Sequence, residues 1–144
     1  MNEDHKNPSI FTSLYWMTQD KIIQPDFLLN LLGFFWPVFE VKGGYVFLRE
    51  TFSQDEYDRL VKESFNPEYW INLVTIDELF SELPDWEEKS KTLARALVSM
   101  WRAKLKIDFP DLDFTVTYLH SEEDGDCGLT FYQTDENSAR KRKL

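Results

Sequence analysis

Two adjacent glycines, Gly43 and Gly44, separate two β-rich runs at residues 38–41 and 45–49. A two-residue hairpin turn of the primed type needs positive φ at its central positions, and glycine adopts that conformation without strain. The pair therefore predicts an antiparallel hairpin over residues 38–49. In its second strand Tyr45, Phe47 and Arg49 share one face, and Val46 and Leu48 share the other. A second alternating run sets Phe114, Val116 and Tyr118 against Thr115, Thr117 and Leu119, then passes through a polar loop at 121–126 into a β-rich run at 129–133. Asp124 and Gly125 supply a natural turn, so a second hairpin is expected over residues 113–134.

Between these hairpins the pattern becomes helical. Ser53 and Glu56 have capping-box spacing ahead of Tyr57, Leu60, Val61 and Phe65. Pro67 reads as the end of that region, and residues 69–74 fit either a strand or a helical turn. Thr75 and Glu78 repeat the capping box, and Ile76, Leu79, Phe80 and Leu83 predict a one-faced helix. Pro84 and Asp85 open the longest helix, about residues 86–107. Its apolar side is Leu93, Leu97, Met100, Trp101 and Leu105, widened by Ala94 and Val98. Near the N-terminus, Ile10, Leu14 and Met17 have helical spacing, and Pro25 suits the first turn of a second helix that Trp36 and Pro37 close. The run 27–36 is the most apolar in the chain, yet Asn30 and Gly33 interrupt it, and it falls well short of the ~20 residues a bilayer span requires. It reads as a buried helix, and no membrane association is expected. The expected class is α+β: an antiparallel sheet built from two β-hairpins, with helices packed on one face and the longest lying across it.

A chain of 144 residues fits one domain, and twelve Phe and five Trp carry ample apolar area for its core. The expected organisation is a flexible N-terminus at 1–9, a single α+β domain at 10–136 and a flexible basic tail at 137–144. Cys127 is the only cysteine, so an intrachain disulfide is impossible. The chain starts Met1, Asn2, Glu3, Asp4, unlike the basic and then apolar start of a secretory leader. A cytoplasmic location is the expectation.

Charge is the strongest functional signal. Nine of the 26 acidic residues lie between Asp108 and Glu136, a stretch without Lys or Arg, whereas the other 17 nearly cancel the 16 bases. Almost the whole net charge of −10 therefore belongs to one C-terminal segment. Such a segment repels nucleic-acid phosphates and anionic membranes and attracts cationic proteins or metal ions.

Several chemistries can be weighed on these residues. His120, Glu122, Asp124, Asp126 and Cys127 combine metal-ligating types, but the EF-hand template fails: with Gly125 central, its first position is His120 and its twelfth is Phe131. No two-His motif exists, since the only other histidine is His5. A Cys127–His120 nucleophile is disfavoured because the surrounding carboxylates oppose a thiolate. Lys91, Arg95, Arg102 and Lys106 run along one line of the long helix, next to Glu87 and Glu88, and read as a solvated face or as one that answers the acidic hairpin. Arg140, Lys141, Arg142 and Lys143 form a basic tail that suits solubility. The aromatics Phe34, Phe35, Trp36 and Phe39 should be largely core, with one or two free to anchor an interface. No Gly-rich phosphate loop, nucleophile elbow, HExxH or CxxC occurs, which weighs against an enzyme. No metal or other cofactor is expected.

The expected function is a non-enzymatic, acidic protein-binding module. Its specific form is an immunity protein or antitoxin, a toxin inhibitor of the bacterial kind that occludes the active site of a basic, nuclease-like toxin. Asp111, Asp113, Glu122, Glu123, Asp124 and Asp126 would pair with cations on that partner, with Tyr118 or Tyr132 as the apolar anchor. The competing expectations are a metal-assisted hydrolase using carboxylates of the 120–127 loop, and a regulatory or scaffold subunit of a larger assembly.

Overall fold

The computed structural model describes residues 9–120 and 127–134. The chain divides into two compact units, Met1–Phe34 and Phe35–Leu144.

The first unit holds two helices, α1 (Ile10–Gln19) and most of α2 (Pro25–Phe35). Ser9 caps α1 by accepting from the Thr12 N–H, and the helix ends in a Schellman-type turn. There the Ile22 N–H reaches the Met17 carbonyl and Lys21 takes φ +57°. Pro25 starts α2, as its spacing predicts. The run 27–36 is helical but is not the buried helix expected of it: no residue of α2 is buried, nor is any residue of α1.

The second unit begins with the predicted hairpin, β1 (Phe39–Lys42) and β2 (Tyr45–Leu48), with Lys42 paired to Tyr45. Gly43 and Gly44 have φ of +58° and +81°, the signature of a type I′ turn. Gly43 is doubly constrained, because a Cβ there would lie 2.2 Å from the Tyr57 hydroxyl. α3 (Gln54–Lys62) is capped by Ser53 and closes with a second Schellman turn, in which Ser64 takes φ +64° and the Phe65 N–H reaches the Leu60 carbonyl. On its exposed face Arg59 joins Glu56 to Glu63, and its hydrogen bonds hold the Glu56 carboxyl below the usual range.

Two local expectations need correction. Pro67 does not end a helical region but starts a new helix, α4 (Pro67–Ile71), whose N-cap Asn66 accepts from the N–H groups of Glu68 and Tyr69. Pro at the first helical position loses no hydrogen bond, which is why it serves as a start. Residues 74–75 then form a short strand, β3. The helix expected after Thr75 is only a single 3₁₀ turn, Asp77–Leu79. Ile76 is fully buried but Leu79 and Leu83 are exposed, so the apolar spacing there does not mark one packed face.

The longest helix, α5 (Trp86–Asp108), matches its expected span. It buries Ser90, Ala94, Leu97, Trp101 and Leu105, a stripe at spacings of three and four. The second hairpin, β4 (Phe114–His120) with β5 (Cys127–Gln133), is also where the alternation placed it, and α5 packs on β4. β3 pairs with the first half of β5, giving the order β3-β5-β4.

The α+β class holds, but the two hairpins form two sheets rather than one. The fully buried side chains of Glu68 and Asn72, one turn apart, join them. Val46 and Leu48 turn their polar backbone groups away from β1, and Phe131 and Gln133 turn theirs away from β4, as the alternation of an antiparallel ladder requires. Glu68 accepts from the Val46 N–H at 3.0 Å and from the Gln133 N–H at 3.3 Å. Asn72 accepts from the Leu48 N–H at 2.9 Å and donates to the carbonyls of Val46 and Phe131. α4 thus completes both ladders with side chains where a sixth strand would otherwise sit.

Apolar packing surrounds this seam. Phe47, Leu60 and Ile71 form a buried cluster under Tyr45, Phe52, Tyr57 and Phe65. Phe131 stands edge-on to Phe39, Trp101 and Phe114, at centroid distances of 5.3, 6.0 and 6.0 Å. Phe39 is therefore core, as expected, whereas Trp36 is exposed.

Candidate functional site

The acidic hairpin is the candidate site, and the structure sorts its residues into two groups. Asp111 and Asp113 are exposed and lie just before β4. Beyond the other end of the strand, residues 121–126 connect His120 to its register partner Cys127. Glu122, Glu123, Asp124 and Asp126 fall in that connection, outside the described residues. At roughly 3.4 Å of rise per residue, the seven residues of β4 span about 20 Å.

At the far end, Tyr118 and His120 stand two residues apart on the same side of β4. Their rings stack at 27° with centroids 6.3 Å apart. The Tyr118 hydroxyl donates to Asp77 Oδ1 at 2.9 Å, which fixes the ring from the 3₁₀ turn. Tyr118 is half-buried and His120 exposed. Tyr132 is a correction: expected as a surface anchor, it is buried at 6% exposure with its ring 5.8 Å from Tyr69. Its side chain leaves β5 on the face opposite Phe131, where Tyr69 of α4 packs near it. Tyr118 is the aromatic that remains for an anchoring role.

At the near end, Asp113 shares a cleft of about 240 Å³ with Arg102, Lys106, Leu105, Leu112 and Phe114. The Arg102 guanidinium donates to the Val116 carbonyl at 3.2 Å, on the edge of β4 that faces away from β5. The Lys106 ammonium donates to the Pro110 carbonyl at 3.1 Å. Asp108 is paired with Lys104 one turn earlier on α5. These cations therefore tie down the helix end and the strand edge. Lys91 is half-buried and Arg95 exposed on the same helix.

His120 and Cys127 are backbone register partners across the mouth of the hairpin. Among the described residues, no group of three or more His, Cys, Asp or Glu could hold a metal ion. The aspartate missed by sequence reasoning is Asp77, which touches Tyr118 across 41 residues of chain. Its only trace in the sequence was its place in a presumed helix. Glu68 and Asn72 were also missed, although polar residues spaced i, i+4 around the apolar Tyr69, Trp70 and Ile71 are a legible anomaly. Comparison with protein-family models, curated proteins and solved structures finds no match.

Proposed function

We propose that this protein is a non-enzymatic binding module that lays the length of strand β4 against a basic protein partner. Its specific form is an immunity protein or antitoxin that covers the phosphate-binding surface of a nuclease-like toxin. The observation that carries the reading is the charge layout: nine acidic residues and no base between Asp108 and Glu136. A standard interface covers about 800 Å² per partner, a patch roughly 30 Å across, so one partner can span the full length of β4. The Tyr118–His120 ring pair supplies an apolar element on that strand, already oriented by Asp77. A nuclease must be cationic where it holds phosphate, and opposite charge accelerates the encounter.

The test is charge reversal. Partners are captured from a lysate with the natural chain and identified by mass spectrometry, and association is then timed at low and high salt. Changing Glu122, Glu123, Asp124 and Asp126 to Lys should leave the far-UV circular dichroism unchanged and slow association by about tenfold or more at low salt. An unchanged rate, or capture of acidic partners only, sinks the proposal.

A further inference from the structure

The helix pair α1–α2 has the composition of an interface and no interior of its own. Residues 9–36 contain only three charged side chains, Asp20, Lys21 and Asp26, in a chain with 42. The same segment carries Phe11, Tyr15, Trp16, Phe27, Phe34, Phe35 and Trp36. Depletion of charge with enrichment of aromatics marks the centre of protein interfaces. None of the ten residues of α1 or the eleven of α2 is buried. Phe11 is 80% exposed, Ile22 69%, Leu29 65% and Leu32 59%. Phe11 and Tyr15 lie one turn apart on α1, and Leu29 and Leu32 share a face of α2.

We infer that this surface binds a second copy of the same chain, giving a two-fold dimer through α1 and α2. Three observations select that occupant. The first is area: the exposed apolar side chains of the two helices total on the order of 900 Å² over all their faces, the same order as the ~800 Å² per partner of a stable complex. The second is charge. Two chains of net charge −10 repel, and they can meet closely only through a surface where that charge is nearly absent. Residues 9–36 sum to −1, so they are such a surface. A membrane-surface helix would instead carry Lys and Arg on its polar side, and this segment has one base. The third is shape. A two-fold contact uses one patch twice and so needs a projection and a recess on it. Phe11 projects, and a cleft of about 430 Å³ at the α1–α2 turn is lined by Ile22, Ile23 and Phe27 together with Gln24, Asp26 and Asn30.

Sedimentation equilibrium of the full chain at tens of micromolar tests this. The expected mass is twice 17.2 kDa. Phe11→Glu and Leu29→Glu should each weaken association by about tenfold or more. Leu29→Gln repeats the test with a good helix former and no charge, and circular dichroism confirms that helix content persists. Asp113→Lys, on the second unit, should leave the mass doubled. A monomer at every concentration overturns the inference, as does a dimer insensitive to Phe11→Glu, Leu29→Glu and Leu29→Gln. Binding of the natural chain to vesicles of phosphatidylcholine with phosphatidylserine, without dimerisation, would also overturn it and assign the surface to a membrane.

Discussion

Among the described residues the shortest α-helix is the most deeply embedded, and one of the most apolar helices has no buried residue. α4 is five residues long and buries three of them, including the carboxylate of Glu68. α2 is eleven residues long, mostly Leu and Phe, and buries none. Hydropathy alone would have ranked them the other way. Burial follows from what each helix meets: α4 faces two strand edges whose N–H and C=O groups need partners, and its polar side chains meet that need. A buried polar group is tolerated when it is fully hydrogen-bonded, and leaving such a partner unmatched costs more than the bond itself contributes.

That contrast can be attacked from its strongest point. Glu68→Ala strands the Val46 and Gln133 N–H groups in the interior and should lower stability by about 3 kcal/mol or more in urea unfolding. A loss below 1 kcal/mol would mean the seam is ornamental. Gly43→Ala places a Cβ in the left-handed region and against the Tyr57 hydroxyl, and about 2 kcal/mol should be lost in the same measurement. Ser64→Gly acts in the opposite direction. It relieves a non-glycine residue at positive φ in the Schellman turn of α3, so the thermal midpoint should rise with a gain of about 1 kcal/mol. The smallest effect belongs to α2: Leu29→Ser, assayed at low concentration, should shift the main unfolding transition by less than about 0.5 kcal/mol. A larger shift would show that Leu29 contributes more to stability than its exposure implies.

Much of the architecture was legible because it rests on local chemistry. Gly43 and Gly44 announce a turn that only positive φ can make, Ser53 announces a cap, and the stripe through Leu97, Trp101 and Leu105 announces the packed face of α5. What escaped depended on distant partners. Ile76, Leu79, Phe80 and Leu83 have helical spacing, but Ile76 alone is fully buried and the backbone manages only one 3₁₀ turn. The division of the hairpins into two sheets was invisible because side chains, not a run of β-formers, bridge them. At the candidate site, the carboxylates and Tyr118 could be read from pattern. The burial of Tyr132 could not, because its neighbour Tyr69 lies 63 positions away, and neither could the tether from Asp77.

The side-chain seam has a consequence for how this fold can vary. Ordinary sheets are held by backbone atoms that every amino acid except proline supplies in full, so adjoining strands can drift widely in composition and stay zipped. Here the junction between two sheets depends on one carboxylate and one amide, Glu68 and Asn72, with the length and atoms of each matched to its acceptors and donors. The joint between the hairpins is therefore brittle to single-codon change in a way that neither hairpin is by itself.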